Sequence, residues 1–430
     1  MNQPLRVLIC STPIAGHVNP AIPIARELVA RGHEVHWYTG ARHQRAVERA
    51  GAVYEPIRDA TDPLGRTPDE LYPQRVGLTG LAGVKFDIKH LFLDEIPGQL
   101  SDVRRILTHY PADLVLADPG FMAAAILREL DGPPFATYGV SILTMASRDV
   151  PPIGSGKLPG SAAARLVNRL MLPLVPRLLF GDVHRHYQTV RAAVGLPRTS
   201  APVFDLCTSP DLYLQGSTAS FEFPRSDLPP QVHFVGPLLP DLAPTEQLPA
   251  WWDEIDRTKP VVLVNQGTVA TDLSDLIEPA MAALADEDVT VIATGGSASS
   301  TLRQPIPPNA RVEEFVPFGK LLPLVDVMVT NGGYGGVQFA LANGVPLVVA
   351  GATEEKPDIA ARVEWTGVGV NLRCGNPTPD QLRTAVRTVL TDPTYRTRAQ
   401  AIQREAAALD SITRSVDLIE GLHPRIHAHR

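Results

Sequence analysis

The feature that most narrows the fold is an alternation that runs along the chain: a short apolar run, a polar or glycine-rich loop, then a stretch of helical periodicity. "LRVLIC" (5–10) is followed by "AIPIARELVARG" (21–32) and then by "HEVHWYT" (33–39). Apolar runs of strand length mark strands covered on both faces, and helices between them make neighbouring strands parallel. The rhythm continues with a helix near 41–50, a strand at 53–57, a helix near 92–109, "DLVLAD" (113–118), a helix at 120–130 and "FATYGV" (135–140). It restarts at "PVVLVNQG" (260–267), followed by a helix at 273–286, then "VTVIAT" (289–294), "RVEEF" (311–315), "VMVTN" (327–331), "PLVVAG" (346–351) and "GVGVNL" (367–372). The expected fold class is α/β, with two Rossmann-like doubly wound domains facing a cleft.

The 430 residues suit two domains rather than one core. The first is expected over 1–225, a linker and the start of the second over 226–258, the second domain over 259–405, and a closing helix over 406–430 that packs back on the first. The proline-dense stretch 227–249 reads as linker rather than core. Residues 58–91 and 141–162, rich in glycine and proline, read as long loops that shape a pocket. The segment 165–195, broken by Pro173 and Pro176, reads either as a packed helix pair or as a greasy surface. The final helices are expected at 379–390 and 394–420.

With 39 basic and 46 acidic residues, a net charge of −7 and no basic run, the chain has no electrostatic footprint for nucleic acid. Cys10, Cys207 and Cys374 lack disulfide or zinc spacing. The apolar stretch at the N-terminus is too short for a signal-peptide core, and no run of about 18 apolar residues offers a membrane span. A cytoplasmic protein with small-molecule partners and no stable membrane insertion is expected; a homodimer is left open.

Ligands of such sheets bind at the carboxyl ends of the strands. The loop after the first strand, "STPIAGHVNP", has only Gly16 where a dinucleotide fold would carry GxGxxG, and "HWYTG" ends without an acid, which argues against nicotinamide and flavin. It offers His17 instead, just before a helix expected to begin near Val18. In the strand order 3-2-1-4, Asp118 at the end of "DLVLAD" falls at the same edge as His17, 101 residues earlier. A carboxylate beside an imidazole holds its tautomer and stabilises its protonated form, so the pair can act as a general base. The duller alternatives are a structural histidine and a strand-end cap; Asp113, at the other end of that strand, suits the cap better. No GxSxG elbow supplies a nucleophile, so a substrate hydroxyl is the expected proton donor.

In the second half, "TNGGYGG" follows a strand and precedes a helix expected near Val337. Gly332, Gly333, Gly335 and Gly336 let a ligand approach backbone amides at a helix start, which suits a diphosphate. Gly267 and Thr268 of "NQGT" add amides and a hydroxyl from the neighbouring strand end. Glu354, Glu355 and Lys356 follow another strand at the same edge; they read either as a solvated loop or as groups that hydrogen-bond the hydroxyls of a sugar. Phe315 and Phe318 in "EFVPFGKLLP" could stack on a base or pack into the core. Asp286, Glu287 and Asp288 read as solvated, so no metal and no bound cofactor is expected.

Taken together, "GHVNP", "LVLAD", "VGPL" (235–238), "QGT", "FVPF" and the glycine-rich box through "EEKPDIAARV" resemble the inverting GT-B glycosyltransferases of the UDP-glycosyltransferase family. The likeness covers both domains and is nearest to bacterial enzymes that glycosylate macrolides, polyketides and other natural products. It implies His17 as base and Asp118 as its partner. It also implies Gly267, Thr268, Asn331, Gly332, Gly333, Tyr334, Gly335, Gly336 and Val337 around the diphosphate, and Phe315, Val316 and Phe318 at the base. Glu354, Glu355 and Lys356 are implied at the sugar. Asn331 stands where the family commonly has histidine, Phe339 where it often has a ribose-binding glutamate, and Phe315 and Phe318 where it has tryptophan and glutamine. The implied activity is inverting, metal-independent transfer of a hexose, glucose first, from UDP-glucose or a dTDP-sugar to a hydroxyl of a small hydrophobic acceptor. A nucleotide-sugar epimerase or hydrolase, and a non-catalytic nucleotide-sugar binder, are the rivals.

Overall fold

The computed structural model describes residues 4–78, 80–160, 162–171, 178–240, 248–267, 272–295 and 302–422. Thirteen strands among these residues form two sheets, and every pairing is parallel. The first holds β1 (Arg6–Cys10), β2 (Glu34–Thr39), β3 (Val53–Pro56), β4 (Leu114–Ala117), β5 (Phe135–Gly139), β6 (Leu212–Gln215) and β7 (Val232–Phe234) in the order 3-2-1-4-5-6-7. The second holds β8 (Val261–Asn265), β9 (Thr290–Thr294), β10 (Ala310–Glu313), β11 (Val327–Thr330), β12 (Leu347–Val349) and β13 (Gly369–Asn371) in the order 10-9-8-11-12-13.

The continuous apolar runs have a simple cause. In β1, Leu8 and Cys10 enter one core while Val7 and Ile9 enter the core on the opposite face. In β8, Val261 and Leu263 face one cluster, and Val262 and Val264 the other. Because side chains alternate across a strand, a strand covered by helices on both faces must be apolar at every position.

Four segments differ from expectation. The stretch 227–249 is not only linker: Val232–Phe234 adds the seventh strand to the first sheet, and Val235 and Leu238 are buried in its core. Its prolines fall outside the three paired residues, so they cost no ladder bond. β6 is only four residues long, between Ser209-Pro210-Asp211 and Gly216, and was not among the expected strands. The loop expected at 58–91 ends in helix Gly80–Asp87 and a π-helical stretch, Ile88–Leu93. In 165–195, helix Gly181–Ala193 buries Val183, Tyr187 and Val190, whereas helix Ala162–Met171 leaves Leu166, Val167 and Leu170 exposed. Pro173 and Pro176 lie outside the described residues.

The chain ends in helices Pro379–Thr391, Pro393–Leu409 and Ser411–Glu420. The last of these lies on the first sheet's layer: Val416, Ile419 and Leu422 join the core containing Ile24 and Leu28. Arg31 pairs with Asp417 at 2.6 Å and with Glu420 at 3.3 Å. No helix among the described residues is long and apolar enough to cross a membrane.

Candidate active site

The strand order 3-2-1-4 puts β1 and β4 side by side, with Cys10 in register with Ala117, so the loops that follow them share one edge. There His17 and Asp118 meet, with Nδ1 2.5 Å from Oδ1. His17 does not precede a helix. It lies inside a single turn, Ala15–Val18, before the longer helix Ala21–Ala30 opens behind Pro20. Pro20, the residue just before the helix, has φ −62°, a conformation its ring fixes and the first turn accepts, and it has no amide proton to leave unpaired there.

Asp118 is buried and fully engaged. It also accepts from the Thr12 amide at 2.6 Å, the Thr12 hydroxyl at 3.1 Å and the Gly120 amide at 2.8 Å. With Asp118 an acceptor only, Nδ1 of His17 carries the proton and Nε2 keeps its lone pair. A second chain of bonds holds the loop: Trp37 donates to Ser11 Oγ, Ser11 lies 2.6 Å from the Tyr138 hydroxyl, and Tyr138 donates to the His17 carbonyl at 3.0 Å. Burial pulls the His17 pKa down, but the charge of Asp118, the hydrogen bond to it and the charge of Glu355 outweigh it, and the net shift is upward. Phe92, on the π-helical stretch, closes over Gly120 beside Asp118; a methyl group at Gly120 would meet both. Ser11 and Thr12 share the loop of His17 but carried no signal of their own, and only the topology brings Tyr138 and Phe92 to the dyad.

Asp113 takes the structural role: both its oxygens bind the Arg6 guanidinium, and it accepts from the Arg6 amide. Glu287 and Asp288 pair with Arg387 and Lys259.

In the second sheet, the glycine-box helix is Tyr334–Ala342 and starts three residues before the expected Val337. The Val337 amide is therefore already bonded to the Gly333 carbonyl. The amides of Tyr334, Gly335 and Gly336 are the first-turn groups that a helix leaves without an internal partner. A side chain at Gly335 would meet open space, while Gly332, at φ +85°, turns the chain in a conformation costly for any other residue. The Asn331 amide nitrogen donates to the Gln266 carbonyl, and its oxygen accepts from the Gly333 amide at 3.2 Å. Gly267 lies against Asn331; Thr268 lies outside the described residues. The Tyr334 ring does not face the box. It crosses to the first domain, where its hydroxyl accepts from Gln215 Nε2 at 2.9 Å.

Lys356 opens helix Lys356–Thr366 and pairs with Glu354 at 2.7 Å, so these two charges largely serve each other. Glu355 instead receives a hydrogen bond from Ser141 of the first domain at 3.1 Å. Of the aromatic group, Phe315 is exposed, Val316 is buried in the core with only its backbone left to meet a ligand, and Phe318 packs edge-on against Phe339.

A histidine–aspartate pair at the edge of one parallel sheet, an open helix start on a second and an acid between them fit a two-domain transferase for nucleotide-activated groups. The comparisons with known proteins agree. Residues 278–421 match the family model of the erythromycin biosynthesis protein CIII-like C-terminal domain. The chain is 48% identical to 4'-demethylrebeccamycin synthase of Lentzea aerocolonigenes over 97% of this chain and 99% of that protein. It is 32% identical to UDP-glycosyltransferase 2 of Phaeomoniella chlamydospora over 97% and 95%. Among solved structures, the glycotransferase of kitacinnamycin superposes with a TM-score of 0.76 at 26% identity, over 98% of this chain and 99% of that one. Glycosyltransferase VinC in complex with dTDP, at 22% identity and a TM-score of 0.69 over 99% and 100%, shares the fold. The chain belongs to the GT-B glycosyltransferases of the UDP-glycosyltransferase family. It is a glycosyltransferase of the natural-product type that takes its sugar from a nucleotide sugar.

Proposed function

We propose that the protein is an inverting, metal-independent hexosyltransferase that moves glucose from UDP-glucose or dTDP-glucose to a hydroxyl of a small hydrophobic natural product. The observation that carries this reading is the His17–Asp118 dyad, with Nε2 left as the proton acceptor and Glu355 near enough for its charge to act on the ring. His17 takes the acceptor's proton as its oxygen attacks the anomeric carbon, and the nucleoside diphosphate leaves from the opposite face. The amides of Tyr334, Gly335 and Gly336 receive the departing charge, which replaces the Lewis acid a metal would supply. Glu355 holds sugar hydroxyls, and exposed Phe315 gives the base a face to stack on.

Incubation with UDP-glucose or dTDP-glucose, each with and without a pool of polyketide and phenolic acceptors, tests this by mass spectrometry. Acceptor-dependent hexosyl adducts with β configuration by NMR, unchanged by EDTA, are expected. Donor consumption without adducts would support the epimerase or hydrolase instead, and donor binding without turnover the binder.

A further inference from the structure

To one side of β1, on the edge strands β2 and β3, His36 and Glu55 come together with His109 on one face of the first sheet. Tyr38 and Glu55 are in register, and His36 stands two residues before Tyr38, so His36 and Glu55 share that face diagonally across the edge pair β2 and β3. His109 arrives from the last turn of helix Ile96–His109. His36 Nδ1 lies 2.8 Å and His109 Nε2 3.1 Å from the same Glu55 oxygen. All three ligand atoms are within 4.8 Å of one another.

The hydrogen-bond inventory of His109 makes this more than a cluster. Its Nδ1 faces the Arg105 carbonyl at 3.2 Å and must donate there. A neutral ring then presents a lone pair from Nε2 to the Glu55 carboxylate, two acceptors facing each other. Only a cation between them, a proton or a metal ion, resolves the conflict. A metal-ligating histidine is oriented by the hydrogen bond that its other ring nitrogen donates, often to a backbone carbonyl, and His109 has that bond in place at Nδ1 while Nε2 faces Glu55. The rest of the site is equally fixed. The His36 ring stacks on Tyr110 with centroids 3.7 Å apart and planes 15° from parallel, and the Glu55 side chain is 9% exposed. His109 is half exposed and gives a path in from solvent.

We propose that His36 Nδ1, Glu55 and His109 Nε2 form a divalent transition-metal site, with Zn²⁺ as the occupant their two nitrogens and one oxygen suit best and water as the fourth ligand. The ion ties the edge strand β3 to β2 and to the end of helix Ile96–His109. It takes no part in glycosyl transfer, and the inference does not depend on that reading.

The test is calorimetric titration of the tag-free full chain with Zn²⁺, together with thermal melts in Zn²⁺ and in EDTA. Two other histidine sources are controlled: the His90, Asp94 and His186 cluster and the C-terminal His427 and His429. One equivalent is expected to bind to this site and to raise the melting temperature, with affinity at least about ten-fold weaker in H109A and E55Q. H109A alters a surface side chain, so it separates loss of metal from loss of fold. The doubly substituted H90A/H186A and H427A/H429A proteins should keep that affinity and that thermal shift. Absence of stoichiometric binding, or binding lost in either double variant and kept in H109A, would overturn the proposal and leave the three groups a proton-bridged ion cluster.

Discussion

Protonation of His17 couples the site to pH at the scale of single side chains. Its pKa is shifted upward from 6.5, so the neutral base predominates only above that raised value, and kcat/KM should fall on the acid side with a limb above the ordinary value of 6.5. Stability runs the other way: the ion pair's contribution is fully present below the unfolded pKa and is lost as pH rises through the folded one. Asp118→Asn removes the charge and weakens the bond that favour protonation. A pH–rate profile of D118N should show the acid limb moved downward and kcat reduced by roughly 10²–10⁴; an unmoved limb would separate Asp118 from the titrating group. Gly335 supplies a second test. It occupies a helix first turn with open space before its Cα, so Gly335→Ala should stabilise the fold by about 0.5–1 kcal/mol while raising the donor KM. Melting curves and donor kinetics on one preparation would expose a purely structural glycine through an unchanged KM.

Individual elements show why some of the chain was legible and some was not. β1 and β4 could be placed from their own residues, because burial on both faces demands unbroken apolar runs; the order 3-2-1-4 then brought His17 to Asp118. β7 could not, since its three residues lie among prolines that signal a joint. The start of the box helix was misplaced because its first turn is Tyr-Gly-Gly, low in helical propensity, and is held by the strand before it and the core around Val337. Ser141 and Tyr138 stand on loops and strands with no motif, and distance in sequence hides them. Helix Ser411–Glu420 was legible only as the end of one helix expected at 394–420, which Asp410 at φ +44° breaks in two; its partner is the face of helix Ala21–Ala30. Ile419→Ala there should cost about 2–5 kcal/mol of stability, read by chemical denaturation, because Ile419 is fully buried between the two. A change below about 0.5 kcal/mol would mean that the helix is not anchored by this contact.

Across the whole molecule, the two sheets are pinned at more than the closing helix. Arg362 of helix Lys356–Thr366 forms a buried pair with Glu222 at 2.8 Å and lies over the Phe223 ring, while Asp358 accepts from the amides of Gly154 and Gly156. Asp358 and Arg362 stand three and seven residues after Glu355 on the helix that begins just after it, so the clamp helps fix where Glu355, the acid proposed to hold the sugar, stands against His17. Removing one partner leaves a buried charge, and Glu222→Gln should destabilise the protein by about 3–5 kcal/mol and raise the donor KM. Urea unfolding with unaltered stability would show that the clamp is dispensable.

The central claim is that His17 is the base of glycosyl transfer and not a prop of the fold. The most direct test compares wild type with His17→Ala in acceptor-dependent transfer, with UDP and dTDP affinity measured on the same protein by calorimetry. Loss of transfer by at least about 10²-fold with nucleotide affinity unchanged is the predicted result. Transfer that survives in H17A, or transfer and nucleotide binding lost together, would contradict it.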